Sequence, residues 1–305
     1  MSASNTFRDL FSNDISVFID TLINHSAFTS FVWGLFTVLI IIVYFTEVAK
    51  FMFTGFDIES TTQSTLMVFA TLLIFASYQT IFDTTHQLFD EIGLTIQETG
   101  TGYRDPFFLF KWVTYSFNSM YNEDVSFWRM PFDDMVYAVL WYIIATLLQV
   151  VMFAIGSWAV WVLALTKILG VLFIPLLIHP STRNLFDGWF RFTLGSLFLL
   201  IVLKATGTLA ALAIKAQFAS IGLISCGSAV NFSSCTVAGK AINMSMSGLN
   251  NVDLLVTGIL SIFLVVSSIG LTSALVGNVS SPSRAATSGA SKLAKLGLNK
   301  FLPKK

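Results

Sequence analysis

The chain has 305 residues and a mass of 33.6 kDa; 55% of its residues are hydrophobic, 11% are charged, and its mean hydropathy is +0.76. Charged residues make up about a quarter of an ordinary globular chain, so a soluble enzyme is excluded: there is too little polar surface to clothe this apolar mass in water, and the excess must face lipid. Lys+Arg and Asp+Glu are equal at 17, which leaves no global basic field of the kind that marks a nucleic-acid binder.

In chain order, residues 1–27 are polar and acidic, with Arg8 alone before the first apolar run. They read as a retained segment and not as a cleavable signal. Phe7, Leu10, Phe11, Ile15, Phe18, Ile19 and Leu22 recur at threes and fours, with Asp9, Asp14 and Asp20 between them. That is the pattern of an amphipathic helix lying on a bilayer, on a partner or on the chain's own bundle.

A helix crosses the roughly 30 Å hydrocarbon layer with about 20 apolar residues, because each residue rises about 1.5 Å. Uncharged runs of that length lie at 28–46, closed by Glu47 and Lys50, and at 64–82, closed by Asp83. Residues 135–166 are uncharged and are followed by Lys167 and ILGVLFIPLLI, a stretch too long for one upright span and awkward for two. The last runs are 192–214, interrupted by Lys204, and 254–276. Five or six spans result, and five is preferred, because Lys167, Gly170 and Pro175 suggest a re-entrant or interfacial turn in place of a second crossing. The tail carries Arg284, Lys292, Lys295, Lys300, Lys304 and Lys305, with no acid after Asp253. Positive segments stay cytoplasmic, so the loop before the last span lies outside and the connection 179–191 lies inside.

Cys226 and Cys235 fall in that outer loop, in SCGSAVNFSSC. In an oxidising compartment such a pair closes a structural disulfide; in a reducing one it remains two thiols. The usual catalytic constellations are missing. The two cysteines and His25, His86 and His179 fit no zinc or iron–sulfur spacing, and Gly100-Thr101-Gly102 lacks the rest of a nucleotide loop. No cofactor is expected beyond bound phospholipid. Glu123, Asp124, Asp133 and Asp134 read as a solvated collar before the third span.

Lys204 is the sharpest single residue, since a lysine at the bilayer centre costs about 2.5–3.5 kcal/mol. With Lys167 it is a candidate channel-lining or lipid-phosphate-binding group; alternatively the ammonium snorkels to one surface. No acid inside a span is expected to pair with it. Gly207 with Ala211, Gly270 with Ala274 and Ser273 with Gly277 are small residues four apart, suited to close helix packing. The tail, with Lys292, Lys295, Lys300, Lys304 and Lys305 among apolar residues, suits anionic headgroups.

Residues 163–198, LALTKILGVLFIPLLIHPSTRNLFDGWFRFTLGSLF, resemble the TrbL-type polytopic inner-membrane subunit of type IV secretion systems, the sixth subunit of VirB-type machines. The pattern is a Gly/Pro-containing apolar run, a Thr-Arg turn, then Phe-Asp-Gly-Trp-Phe-Arg opening a helix. The resemblance implies an all-α integral subunit at the base of a secretion channel and pilus. It implies a homo-oligomer working with pilin, a stalk protein, an inner-membrane scaffold and separate secretion ATPases, in contact with membrane lipid and with DNA in transit, and not itself an enzyme. Arg183, Asp187, Gly188, Trp189 and Arg191 would hold the cytoplasmic turn, with Asp187 capping a helix start, Gly188 allowing close approach and Trp189 anchoring at the interface.

The expected organisation is an all-α polytopic membrane protein of about five spans. It comprises an amphipathic N-terminal periplasmic segment 1–27, a transmembrane hairpin 28–82, a periplasmic segment 83–134, a long third span 135–178, a cytoplasmic turn 179–191, a second hairpin 192–276 and a basic cytoplasmic tail 277–305. The alternative is a secondary transporter or small-solute channel built on the intramembrane lysines.

Overall fold

The computed structural model describes residues 3–55, 57–105, 108, 132–220, 224–227, 232, 235–237 and 248–276. The collar residues Glu123 and Asp124 and the tail with Lys292, Lys295, Lys300, Lys304 and Lys305 lie outside the described residues. Six α-helices account for most of what is described: α1 (Ala3–Ile23), α2 (Ser26–Thr54), α3 (Ile58–Thr101), α4 (Phe132–Phe173), α5 (Arg183–Ser220) and α6 (Gly248–Val276). Two short antiparallel strands, β1 (Ile224–Cys226) and β2 (Cys235–Val237), lie between α5 and α6.

Five helices are long and apolar enough to cross a membrane: Ser26–Phe53, Ile58–Thr101, Val139–Phe173, Arg183–Ser220 and Val252–Val276. The protein is therefore all-α and polytopic. Their outward faces carry large apolar side chains such as Phe45 and Phe53 on α2, Phe69 on α3 and Leu260 and Phe263 on α6, as lipid-facing surfaces do. α3 has 44 residues and α4 has 42; at about 1.5 Å per residue each exceeds about 60 Å, twice the hydrocarbon thickness. α3 runs on past Asp83, where its uncharged run stops, so a charge that closes an apolar window does not close the helix.

The chain divides into two compact units, and α3, α4 and α5 each contribute a segment to both. The first comprises 1–88 and 158–197. Here α2 and α3 form a hairpin whose turn is set by Gly55, at φ +86°, and by Asp57. Glycine takes that left-handed backbone without a Cβ penalty. The Asp57 carboxylate accepts the N–H groups of Glu59 (3.0 Å) and Ser60 (3.3 Å), capping two orphan donors of α3. Phe36, Val43, Val68 and Ile178 form its buried cluster.

In the same unit α4 passes through Lys167 and Gly170 without a break and ends at Phe173. The expected turn at Lys167, Gly170 and Pro175 is corrected in part: the helix continues through Lys167 and Gly170, and the break lies at 174–182, where Pro175 lacks the N–H needed to continue the ladder. Pro175–Leu177 forms a single 3-10 turn, and Thr182 closes the connection by donating from Oγ1 to the carbonyls of Leu176 (2.6 Å) and His179 (3.1 Å).

The second unit comprises 89–157 and 198–305. Its core draws on Trp141, Ala145, Leu148 and Ile155 of α4, Ala211, Ile214 and Phe218 of α5, and Leu254 and Val265 of α6. These positions recur at three, four, seven and eleven residues, the seam spacing of helix packing. Gly258 of α6 lets the two helices meet: a Cβ there would stand 2.6 Å from Ile144 Cγ2 and 2.8 Å from Trp141 Cζ3. The strand pair closes over this core, with Ile224 and Phe232 buried in it.

Candidate functional site

The groups that could carry function are charges held among apolar helices, and α3 places them. Asp83, Asp90 and Gln97 are seven residues apart, which puts them on one face of the helix. Each is engaged within its own unit.

In the first unit Lys167 of α4 is bound by two carboxylates. Its Nζ lies 2.9 Å from Asp83 Oδ1 and 3.2 Å from Asp20 Oδ1 of α1, with the lysine side chain 14% exposed. Beside it, Tyr78 Oη donates to Lys167 O (2.9 Å) and Trp189 Nε1 donates to Thr166 O (3.0 Å). The two rings meet edge to face at 6.0 Å between centroids. They fit only because Gly170 has no side chain: its Cβ would collide with both rings.

In the second unit Lys204 of α5 pairs with the Asp90 carboxylate and donates to the Asp90 carbonyl (3.3 Å); the lysine side chain is 10% exposed and the aspartate 36%. The lysine stem reaches Asp90 by crossing Gly93, where a Cβ would stand 2.7 Å from Lys204 Cδ. Further along α3, Gln97 donates to the carbonyls of Tyr103 and Asp105, and Arg104 pairs with Glu91 and, at 3.8 Å, with Glu98.

Lys204 was expected to find no acid to pair with; it meets Asp90, on the part of α3 that runs on past the uncharged stretch. The partner was missed because Asp83 was taken as the end of the second span; the seven-residue recurrence of 83, 90 and 97 was the available signal. Gly93 was missed as well, and Gly170 was read as part of a turn and not as a close approach, while glycines chosen by spacing do less. A Cβ at Gly188 or Gly270 would meet nothing within 4 Å, and one at Gly207 only Met152 Cε at 3.8 Å.

The five residues read as a cytoplasmic turn, Arg183, Asp187, Gly188, Trp189 and Arg191, all lie in the opening turns of α5. Asp187 is in the second turn, so it does not cap the helix, and Gly188 is not a close approach. Trp189 is 8% exposed and hydrogen-bonded inside its unit, which corrects the interfacial anchor. Trp33, Trp158 and Trp161 are the exposed ones among the described tryptophans.

Cys226 and Cys235 are joined in a disulfide between directly opposed positions of β1 and β2. The loop it closes carries Phe232, which packs edge to face on Phe108 at 5.1 Å and lies 4.6 Å from Lys215 Nζ of α5.

Long apolar helices, with Lys167 and Lys204 each held by carboxylates within its own unit, define a multi-pass membrane protein. The family model described as TrbL/VirB6 plasmid conjugal transfer protein matches residues 41–246. The chain belongs to this TrbL/VirB6 family and is a component of conjugal-transfer, type IV secretion machinery. It therefore acts alongside other components of that machinery. Comparison with curated proteins and with solved structures finds no match.

Proposed function

We propose that the chain is a homo-oligomeric inner-membrane platform on which pilus and stalk are assembled and past which DNA or protein substrate moves. The observation that carries this reading is the family match over 41–246, which takes in four of the five candidate spans in whole or part. Pilin, a stalk protein, an inner-membrane scaffold and the secretion ATPases are its partners in this reading. Energy comes from the ATPases, so the chain needs no catalytic residues and no cofactor beyond anionic phospholipid, gathered by the lysines of the tail.

The proposed orientation places the N-terminus in the periplasm and the C-terminus in the cytoplasm. It is supported by the cystine between α5 and α6, a bond that persists in oxidising compartments, and by the basic tail at the other end of α6. With five crossings, 83–134 is periplasmic and 179–191 cytoplasmic.

Purification of the complex from its own host in mild detergent, followed by mass spectrometry, tests the reading. Recovery of a pilin, a stalk protein and secretion ATPases in amounts that scale with this chain is the expected result. Recovery of the chain alone as an oligomer, together with normal DNA transfer in its absence, would overturn it. That outcome would favour a solute transporter built on the Asp90–Lys204 pair, whose acid removes one physical objection to proton-coupled transport.

A further inference from the structure

Lys167 has more partners than its charge requires. Asp83, 49% exposed, comes from α3, whereas Asp20, 59% exposed, sits on α1, a helix joined to α2 through Asn24 and an extended His25 at φ −70° and ψ 129°. Ile19 and Ile23 of α1 are buried, while Val17 and Phe18 on its other side are exposed. α1 thus has apolar groups for two surroundings. Between apolar helices and lipid chains there is no hydrophobic preference to decide which surface the buried side takes. What differs between the two is Lys167, a fixed and largely buried counter-charge for Asp20 that the mobile, hydrated headgroups do not reproduce. When Asp20 leaves, the ammonium remains paired with Asp83, so release leaves no unpaired buried charge, the costly outcome for an ion pair.

We infer that α1 is a latched arm: Asp20 holds it on the bundle through Lys167, and its release transfers the helix to the bilayer surface without unpairing the lysine. This goes beyond the platform reading and does not depend on it.

The full-length protein in nanodiscs of phosphatidylethanolamine and phosphatidylglycerol provides the test. Nitroxide labels at Ser16→Cys and Gln79→Cys report the distance from α1 to α3 by double electron–electron resonance; the native cysteines are already joined. A short-distance population is expected in the parent. Asp20→Asn should reduce the ratio of docked to released arm about two- to fivefold, the scale of an ion pair with one exposed carboxylate. Asp20→Lys should reduce it further, and Asp20→Glu should restore it. A label at Phe18→Cys should then show oxygen contact typical of lipid in the Asp20→Lys protein. An unchanged distance distribution in both Asp20→Asn and Asp20→Lys overturns the latch, and a released arm whose Phe18 label is water-exposed overturns the transfer to the bilayer.

Discussion

A lysine in the middle of an apolar helix costs about 2.5–3.5 kcal/mol against lipid, and Lys204 offsets this by turning inward to Asp90. Removing one partner of such a pair leaves the other buried and uncompensated, at about 3–5 kcal/mol. With Asp90 36% exposed, the lower end is expected. Asp90→Asn should therefore lower the thermal midpoint in detergent clearly, while Lys204→Met combined with Asp90→Asn should recover most of the loss, because no charge is stranded. A double-mutant cycle measures the coupling; additive losses in the cycle would show that the pair is not one interaction. Lys204→Leu alone also bears on a pore-lining role. Unchanged transfer with intact assembly would remove that role.

At the scale of the element, helix contacts are set by where side chains are missing. Gly170 admits Tyr78 and Trp189, so Gly170→Ala should cost about 1–3 kcal/mol through overpacking, whereas Gly188→Ala, in open space, should be neutral or slightly stabilising in α5. Thermal melts of the two variants check the contrast, and equal effects would contradict the packing described. Trp189→Phe keeps an aromatic group but removes the bond to Thr166 O and part of the buried ring, with an expected loss of at least about 1 kcal/mol. The spans themselves were legible as uncharged runs because lipid tolerates little else. Their ends were not, since an acid such as Asp90 that meets a lysine from another helix leaves the helix intact. The break after Phe173 was placed only in part: Pro175 marked it, but Lys167 also looked like an interruption, and only its two carboxylate partners, distant in sequence, explain why it is not. Spacing alone favoured Gly207 and Gly270, but a glycine matters only where a neighbour approaches, and that neighbour belongs to another part of the chain.

For the molecule as a whole, the strand pair between α5 and α6 is held by a covalent cross-link as well as by packing on the helices. Its cystine closes a loop of about ten residues, worth about 2.5–3 kcal/mol in unfolded-state entropy. Replacing Cys226 and Cys235 with serine, or reducing them in the folded protein, should loosen Phe232 from Phe108 and speed proteolysis, while the helical content by circular dichroism stays the same. Equal cleavage before and after reduction would show that the core contact at Phe232 holds the loop unaided. The same bond gives a handle on orientation: a membrane-impermeant thiol reagent added to intact spheroplasts after reduction should label these cysteines if the loop is periplasmic, and should miss them if it faces the cytoplasm.

The crossing of Gly93 by the stem of Lys204 also has an evolutionary consequence. A residue larger than glycine at 93 displaces the stem, loss of the stem strands Asp90, and loss of Asp90 strands the ammonium, so single steps away from the trio are each penalised. Among relatives the three positions should be inherited together, with an apolar residue at 204 accompanied by a neutral one at 90 and freedom to vary at 93. An alignment in which these positions change independently would mean that the trio is an accident of this chain.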